Sequence, residues 1–208
     1  VGHITIPGYT SYMQLIDQNH LLTVGRNTPN GTSGPTQVAL FDISDLLQPL
    51  RVAEYTFDRF STSEAELDHH AFGYYADFGL LAMPVAIDHV ERVDLDGDGF
   101  RETSQTVHES QLAVFSVDVN AANPADRLIL KSAIEHGTPV RRSGFIGDKL
   151  YSVDDDAVKV VDIAAPDDVV ARLTIPRPAR SGDVTPDLTS ATGSVSDVTR
   201  ALRTEPCA

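Results

Sequence analysis

The amino-acid sequence predicts an all-β fold: a β-propeller fragment of about three four-stranded antiparallel blades. Two observations carry this prediction. A strand–turn–strand pattern recurs three times, and no long stretch shows helical period with caps at both ends. The repeated core is a run rich in β-branched and aromatic residues that ends in an Asp/Asn/Pro turn. It reads Val38–Ile43 followed by Ser44, Asp45 and Pro49, then Leu112–Val117 followed by Asp118, Asn123 and Pro124, then Val158–Ile163 followed by Pro166, Asp167 and Asp168.

The elements follow in order. Ile4–Pro7 reads as the outer strand of a preceding blade, because it resembles Leu173–Pro176 and a proline suits a strand edge. The first blade spans 10–58, with strands at Tyr12–Ile16, His20–Val24, Val38–Ile43 and Leu50–Phe57. The second spans 62–136, with strands at His70–Tyr75, Leu80–Val85, Leu112–Val117 and Arg127–Ile134, and a long link from Ile87 to Ser110. The third spans 137–176, with strands at Val140–Ile146, Lys149–Val153, Val158–Ile163 and Val169–Ile175. Without insertions each unit holds about 40–50 residues, the length of a propeller blade. A β-sandwich also uses short strands and turns, but repetition favours blades. The propeller segment is thus 1–176. Residues 177–208, rich in Ser, Thr, Asp and Pro, read as a flexible C-terminal tail. Because the chain opens within a strand pattern, it reads as truncated at its N-terminus.

The formal charge of −14 makes nucleic acid an unsuitable partner, since phosphate binding needs a basic surface. No apolar run is long enough to span a bilayer as a helix. The single cysteine, Cys207, excludes an intrachain disulfide and a cysteine-based zinc site. Asn30-Gly31-Thr32 is a glycosylation sequon, and also an ordinary Asn-Gly turn.

Beyond the repeat, specific stretches look familiar: Ile6–Tyr9, Asn19–Leu22, Val38–Asp45, Ser63–Ala65, Asp68–Phe72, Gly79–Val85, Gly137–Ser143 and Ile146–Val153. They resemble a family of secreted proteins with a C-terminal β-propeller, distantly related to WD repeats. The likeness covers roughly residues 4–176. It implies a propeller fold and a secreted or cell-surface prokaryotic protein, and it brings no catalytic residues.

The chemistry concentrates in the second blade's long link. Asp94-Leu95-Asp96-Gly97-Asp98-Gly99-Phe100-Arg101-Glu102 matches the opening of an EF-hand-type calcium loop. Asp94, Asp96 and Asp98 would direct three carboxylates at one centre, Gly99 would make the sharp turn, the Phe100 carbonyl would be the seventh-position ligand and Glu102 falls at the ninth. The twelfth position is Gln105 where a bidentate glutamate is usual, which predicts weak binding or a ligand from Glu91, Asp88 or Glu109. Without flanking helices, this would be a calcium loop in a hairpin insertion, with calcium in a structural role. The competing reading is a solvated acidic hairpin tip.

Asp68-His69-His70 offers transition-metal or acid/base chemistry, with His89, His108 or His136 as further candidates. Adjacent residues of a strand face opposite ways, which favours a structural role for these histidines. No nucleophile-elbow, zincin, C-x-x-C or phosphate-loop motif occurs. The expectation is a non-enzymatic scaffold or binding module for a protein or glycan ligand, completed by missing blades or by self-association through exposed blade edges. The alternative is a metal-dependent, lactonase-like hydrolase formed by a full ring.

Overall fold

The computed structural model describes residues 2–28, 34–58, 60–93 and 103–176. The chain separates into a unit Val1–Ile175 and a unit Pro176–Ala208, and every described strand belongs to the first. The candidate tail at 177–208, the sequon at 30–32 and the candidate calcium-loop residues 94–102 lie outside the described residues.

The first sheet runs in the order β1 (Tyr9–Leu15), β2 (His20–Arg26), β3 (Thr36–Asp42), β4 (Leu50–Thr56). The second contains β5 (Ser61–Thr62), β6 (Gly73–Tyr75), β7 (Leu80–Val93), β8 (Thr103–Val117) and β9 (Leu128–His136); its order is β5-β7-β8-β9, with β6 also pairing β7. The third runs β10 (Arg142–Ile146), β11 (Lys149–Val153), β12 (Ala157–Asp162), β13 (Ala165–Thr174). All neighbours are antiparallel. The fold is therefore all-β, a set of consecutive propeller blades.

Alternation along the strands explains how the blades stack. In β7, Leu81, Met83 and Val85 pack with Leu22, Val24, Val38 and Leu40 of the first sheet, while Ala82 joins the core shared with the third. In β8, Ala113, Phe115 and Val117 face the first core, and Leu112 and Val114 the second, with Val140, Leu150 and Val161. The period-2 pleat thus divides one strand between two cores, and the middle blade is covered on both faces. Tyr55, Phe57 and Phe115 meet edge-on at centroid distances of 5.0, 5.2 and 5.9 Å across the first core. Each large side chain so buried stabilises the stack by about 1.5–3 kcal/mol. In contrast, β9 alternates strictly between buried and more exposed positions, as an outer strand should.

Three local expectations need correction. Ile4–Pro7 forms no strand: a ladder needs a neighbouring edge, and among the described residues no sheet precedes β1. The strand expected from His70 to Tyr75 begins only at Gly73. Before it, Glu64–Glu66 and His69–Ala71 form 3-10 turns, capped by Ser63 and Asp68. Ser63 Oγ accepts from Ala65 N, Glu66 Oε1 accepts from Ser63 N, and Asp68 Oδ1 accepts from His70 N at 3.0 Å. Such side-chain acceptors compete with a sheet ladder for backbone N–H groups, and here they win. Finally, β13 starts at Ala165, so Pro166 lies in the outermost strand, where its missing N–H is tolerated; its carbonyl accepts from Ser132 Oγ. Gly79 closes the turn before β7 at φ +56°, and a Cβ there would meet the Val117 carbonyl oxygen at 2.8 Å.

Candidate functional sites

The long link of the second blade is an extension of its two central strands. Residues Leu80 to Val93 pair without interruption with Ser116 to Thr103. β9 accompanies β8 only as far as the Ser110–His136 pair, and β5 reaches only Ile87. Beyond these points the ladder continues as a two-stranded arm, closed at its far end by the Val93–Thr103 pair. Nine residues, 94–102, join those ends, and they include the candidate ligands Asp94, Asp96, Asp98, Phe100 and Glu102. Gln105, at the twelfth position of the motif, pairs with Glu91 across the arm.

The arm's polar side chains are sorted by its pleat. His108 Nδ1 lies 2.7 Å from Asp88 Oδ1, directly across the ladder. His89 approaches Glu91 at 3.3 Å and Glu109 at 3.8 Å. Asp88 and Glu109 sit five and six rows back from the closing pair, about 17–20 Å at a rise of about 3.4 Å per residue. Of the three supplementary ligands considered from sequence, Glu91 is the nearest to the tip, two rows back.

The histidines do not gather as one site. His136 is enclosed, with its Nδ1 2.8 Å from Asp154 Oδ2 and its Nε2 2.6 Å from Ser152 Oγ. This connectivity matches a Ser–His–Asp triad, yet Ser152 is 0% exposed and the His136 side chain 0%. A substrate carbonyl cannot reach Oγ without opening the blade, so the network is structural. Backbone N–H groups of Asp156 (2.7 Å) and Ala157 also donate to Asp154 Oδ1. Burial holds the His136 imidazole below its ordinary value; the hydrogen bond and charge of Asp154 oppose this, and Lys159 and Arg172 add to it. Burial pushes the Asp154 carboxyl up, but its hydrogen bonds with His136 and the two backbone groups outweigh this and hold it below the usual carboxylate range. Sequence reasoning missed this set. The signal was present in the pleat: Leu150, Ser152 and Asp154 follow one another at every second residue and are all buried.

A second buried network joins the first two blades. Arg26 Nε donates to Glu66 Oε2 at 2.6 Å, and Arg26 Nη1 donates to the carbonyls of Gly34 and Ser61 at 3.0 Å each. Thr36 Oγ1 donates to Glu66 Oε1 at 2.8 Å. The Glu66 side chain is 6% exposed, so loss of one of these partners would leave a buried polar group stranded.

The Asp68-His69-His70 cluster differs from its sequence-based picture. These residues lie on a 3-10 turn, not in a strand, and the two imidazoles share one side with ring centroids 4.0 Å apart. The metal-ligating atoms of the three residues all lie within 4.8 Å of one another, and among the described residues no other such group of three forms.

Blades of this kind, stacked through shared apolar cores, define a β-propeller module. The chain belongs to the Beta propeller domain family, whose profile matches residues 1–165. It is similar to an uncharacterized protein of Archaeoglobus fulgidus, with 38% identity over 84 residues, 40% of this chain and 13% of that protein. It is also similar to an uncharacterized protein of Methanocaldococcus jannaschii, with 26% identity over 162 residues, 78% of this chain and 21% of that protein. The chain therefore spans about a fifth or less of the length of these relatives.

Proposed function

We propose that the chain is a non-enzymatic scaffold or binding module of an exported prokaryotic propeller, whose projecting arm is ordered by calcium and presented to a protein or glycan ligand. The arm carries this reading. Two strands of 14 and 15 residues outrun the sheet that supports them, and they meet in a tip with three alternating aspartates. An unaccompanied hairpin is marginal in water, and three carboxylates in five residues repel one another unless a cation intervenes. A calcium ion would answer both costs. With glutamine at the twelfth position, the affinity should fall in the submillimolar to millimolar range of extracellular calcium modules.

Further blades of a longer polypeptide would cover the open face of the first sheet. That face holds a cleft of about 660 Å³, lined by apolar side chains including Ile4, Met13, Leu21, Phe41 and Leu47. The length of the relatives supports a covalent origin for the covering blade over self-association.

Calorimetric titration with calcium and limited proteolysis of the arm test the reading. Millimolar calcium should give a saturable isotherm and slow cleavage within 87–110, and Asp96→Asn should abolish both effects. No heat and no protection at millimolar calcium would remove the calcium site. Reproducible turnover in a hydrolase screen would overturn the non-enzymatic reading.

A further inference from the structure

We propose that Asp68, His69 and His70 form a second ion site, selective for a divalent transition-metal ion and independent of the calcium reading of the arm. The donor set is two imidazoles and one carboxylate, which suits zinc, copper, nickel or iron(II) and not calcium, a hard ion that takes oxygen ligands. Consecutive residues can act together here because of the local fold. Side chains on a 3-10 turn are spaced by about 120°, against about 180° on a strand, so neighbours can share a side. Each donor is held from a different blade or by the turn itself. Tyr12 of β1 lies against the His69 ring with centroids 5.8 Å apart, and meets Phe72 edge-on at 5.3 Å. Arg142 of β10 donates to Asp68 Oδ2, which leaves Oδ1 toward the histidines. Oδ1 accepts from His70 N at 3.0 Å and lies 2.9 Å from His70 Nδ1.

That last separation sets the coordination. A carboxylate oxygen and an imidazole nitrogen 2.9 Å apart, each about 2.1 Å from an ion, subtend about 90° at the metal. The angle suits a five- or six-coordinate ion that keeps open positions for water or for a ligand. To bind, the ion replaces the His70–Asp68 hydrogen bond, and the His70 N–H moves to Nε2. His69 and His70 are exposed, so the open positions face solvent. The ion would thereby fasten the turn that enters the second blade, where side chains from the first and third blades converge.

The test uses the full chain carrying Asp94→Asn, Asp96→Asn and Asp98→Asn, so that the arm tip cannot contribute. Zinc titration by calorimetry should give one equivalent with saturable heat, and cobalt(II) should develop visible absorption bands characteristic of nitrogen ligation. His69→Ala and His70→Ala should each weaken zinc binding at least tenfold. Asp68→Asn should do the same while retaining the fold, since asparagine caps a turn as well as aspartate does; circular dichroism checks this. An isotherm unchanged in both histidine variants, or no saturable zinc binding at submillimolar concentration, overturns the proposal. Calcium binding to the unsubstituted arm is measured separately, so failure of one site leaves the other standing.

Discussion

Replacing His136 with alanine removes the centre of the enclosed Ser152–His136–Asp154 chain. In the intact protein the neutral imidazole donates from Nδ1 to Asp154 and accepts at Nε2 from Ser152. Alanine leaves the Ser152 hydroxyl without its acceptor at a site closed to water, a loss of about 1–3 kcal/mol. Asp154 keeps its two backbone donors but loses its side-chain donor, and the vacated ring leaves a cavity. Together these effects should cost about 3–5 kcal/mol, or about 10 °C in Tm for a folded unit of this size. The chain has no tryptophan, so urea unfolding is best followed by far-ultraviolet circular dichroism. Ser152→Ala alone should cost about 1–2 kcal/mol, and the double variant should cost less than the sum, because the second change removes a group already stranded. A loss below about 1 kcal/mol for His136→Ala, or strict additivity in the double variant, would refute this reasoning. So would labelling of Ser152 by a fluorophosphonate in the folded protein, because that needs an accessible nucleophile.

Other expectations follow from the same structure. Glu66→Gln should destabilise the junction of the first two blades by about 3–5 kcal/mol, since it leaves the Arg26 guanidinium short of its carboxylate partner; thermal melting reads this, and a shift below about 1 kcal/mol would contradict it. The His136 imidazole is held below its ordinary value, so its neutral form favours the folded state. Its stabilisation is complete above about pH 6.5 and is lost as pH falls toward the folded value. The urea midpoint should therefore drop between about pH 7 and pH 5, and drop less in His136→Asn. Asp154, held low, keeps its contribution above about pH 4 and loses it on further acidification. Gly79→Ala should cost about 1–2 kcal/mol in chemical denaturation, because alanine strains at φ +56° and its Cβ would crowd the Val117 carbonyl.

Much of the fold was legible in the sequence. Runs such as Val38–Ile43 and Leu112–Val117 alternate side chains to two faces, and each ends in a turn whose Asp, Asn and Pro residues favour chain reversal. Their repetition favours stacked blades over a sandwich. Local capping chemistry was harder to see. Ser63-x-x-Glu66 and Asp68-x-His70 offer acceptors to nearby N–H groups, and their strength against a strand depends on whether a neighbouring edge is available to pair.

The candidate sites divide along the same line. The acidic stretch at 94–102 is a contiguous motif, readable because its carboxylates are spaced by the chain itself. The His136–Ser152, His136–Asp154 and Arg26–Glu66 contacts join residues 16–40 positions apart; the pleat marks Ser152 and Asp154 as sharing a face, but nothing local pairs them with His136, or Arg26 with Glu66. Sequence alone determined the repeat, the blade class and the acidic motif, since these rest on periodicity and near-neighbour spacing. Tertiary structure decided which histidine is enclosed and neutral and which pair stands side by side in solvent, because burial and hydrogen-bond partners are set by how blades stack.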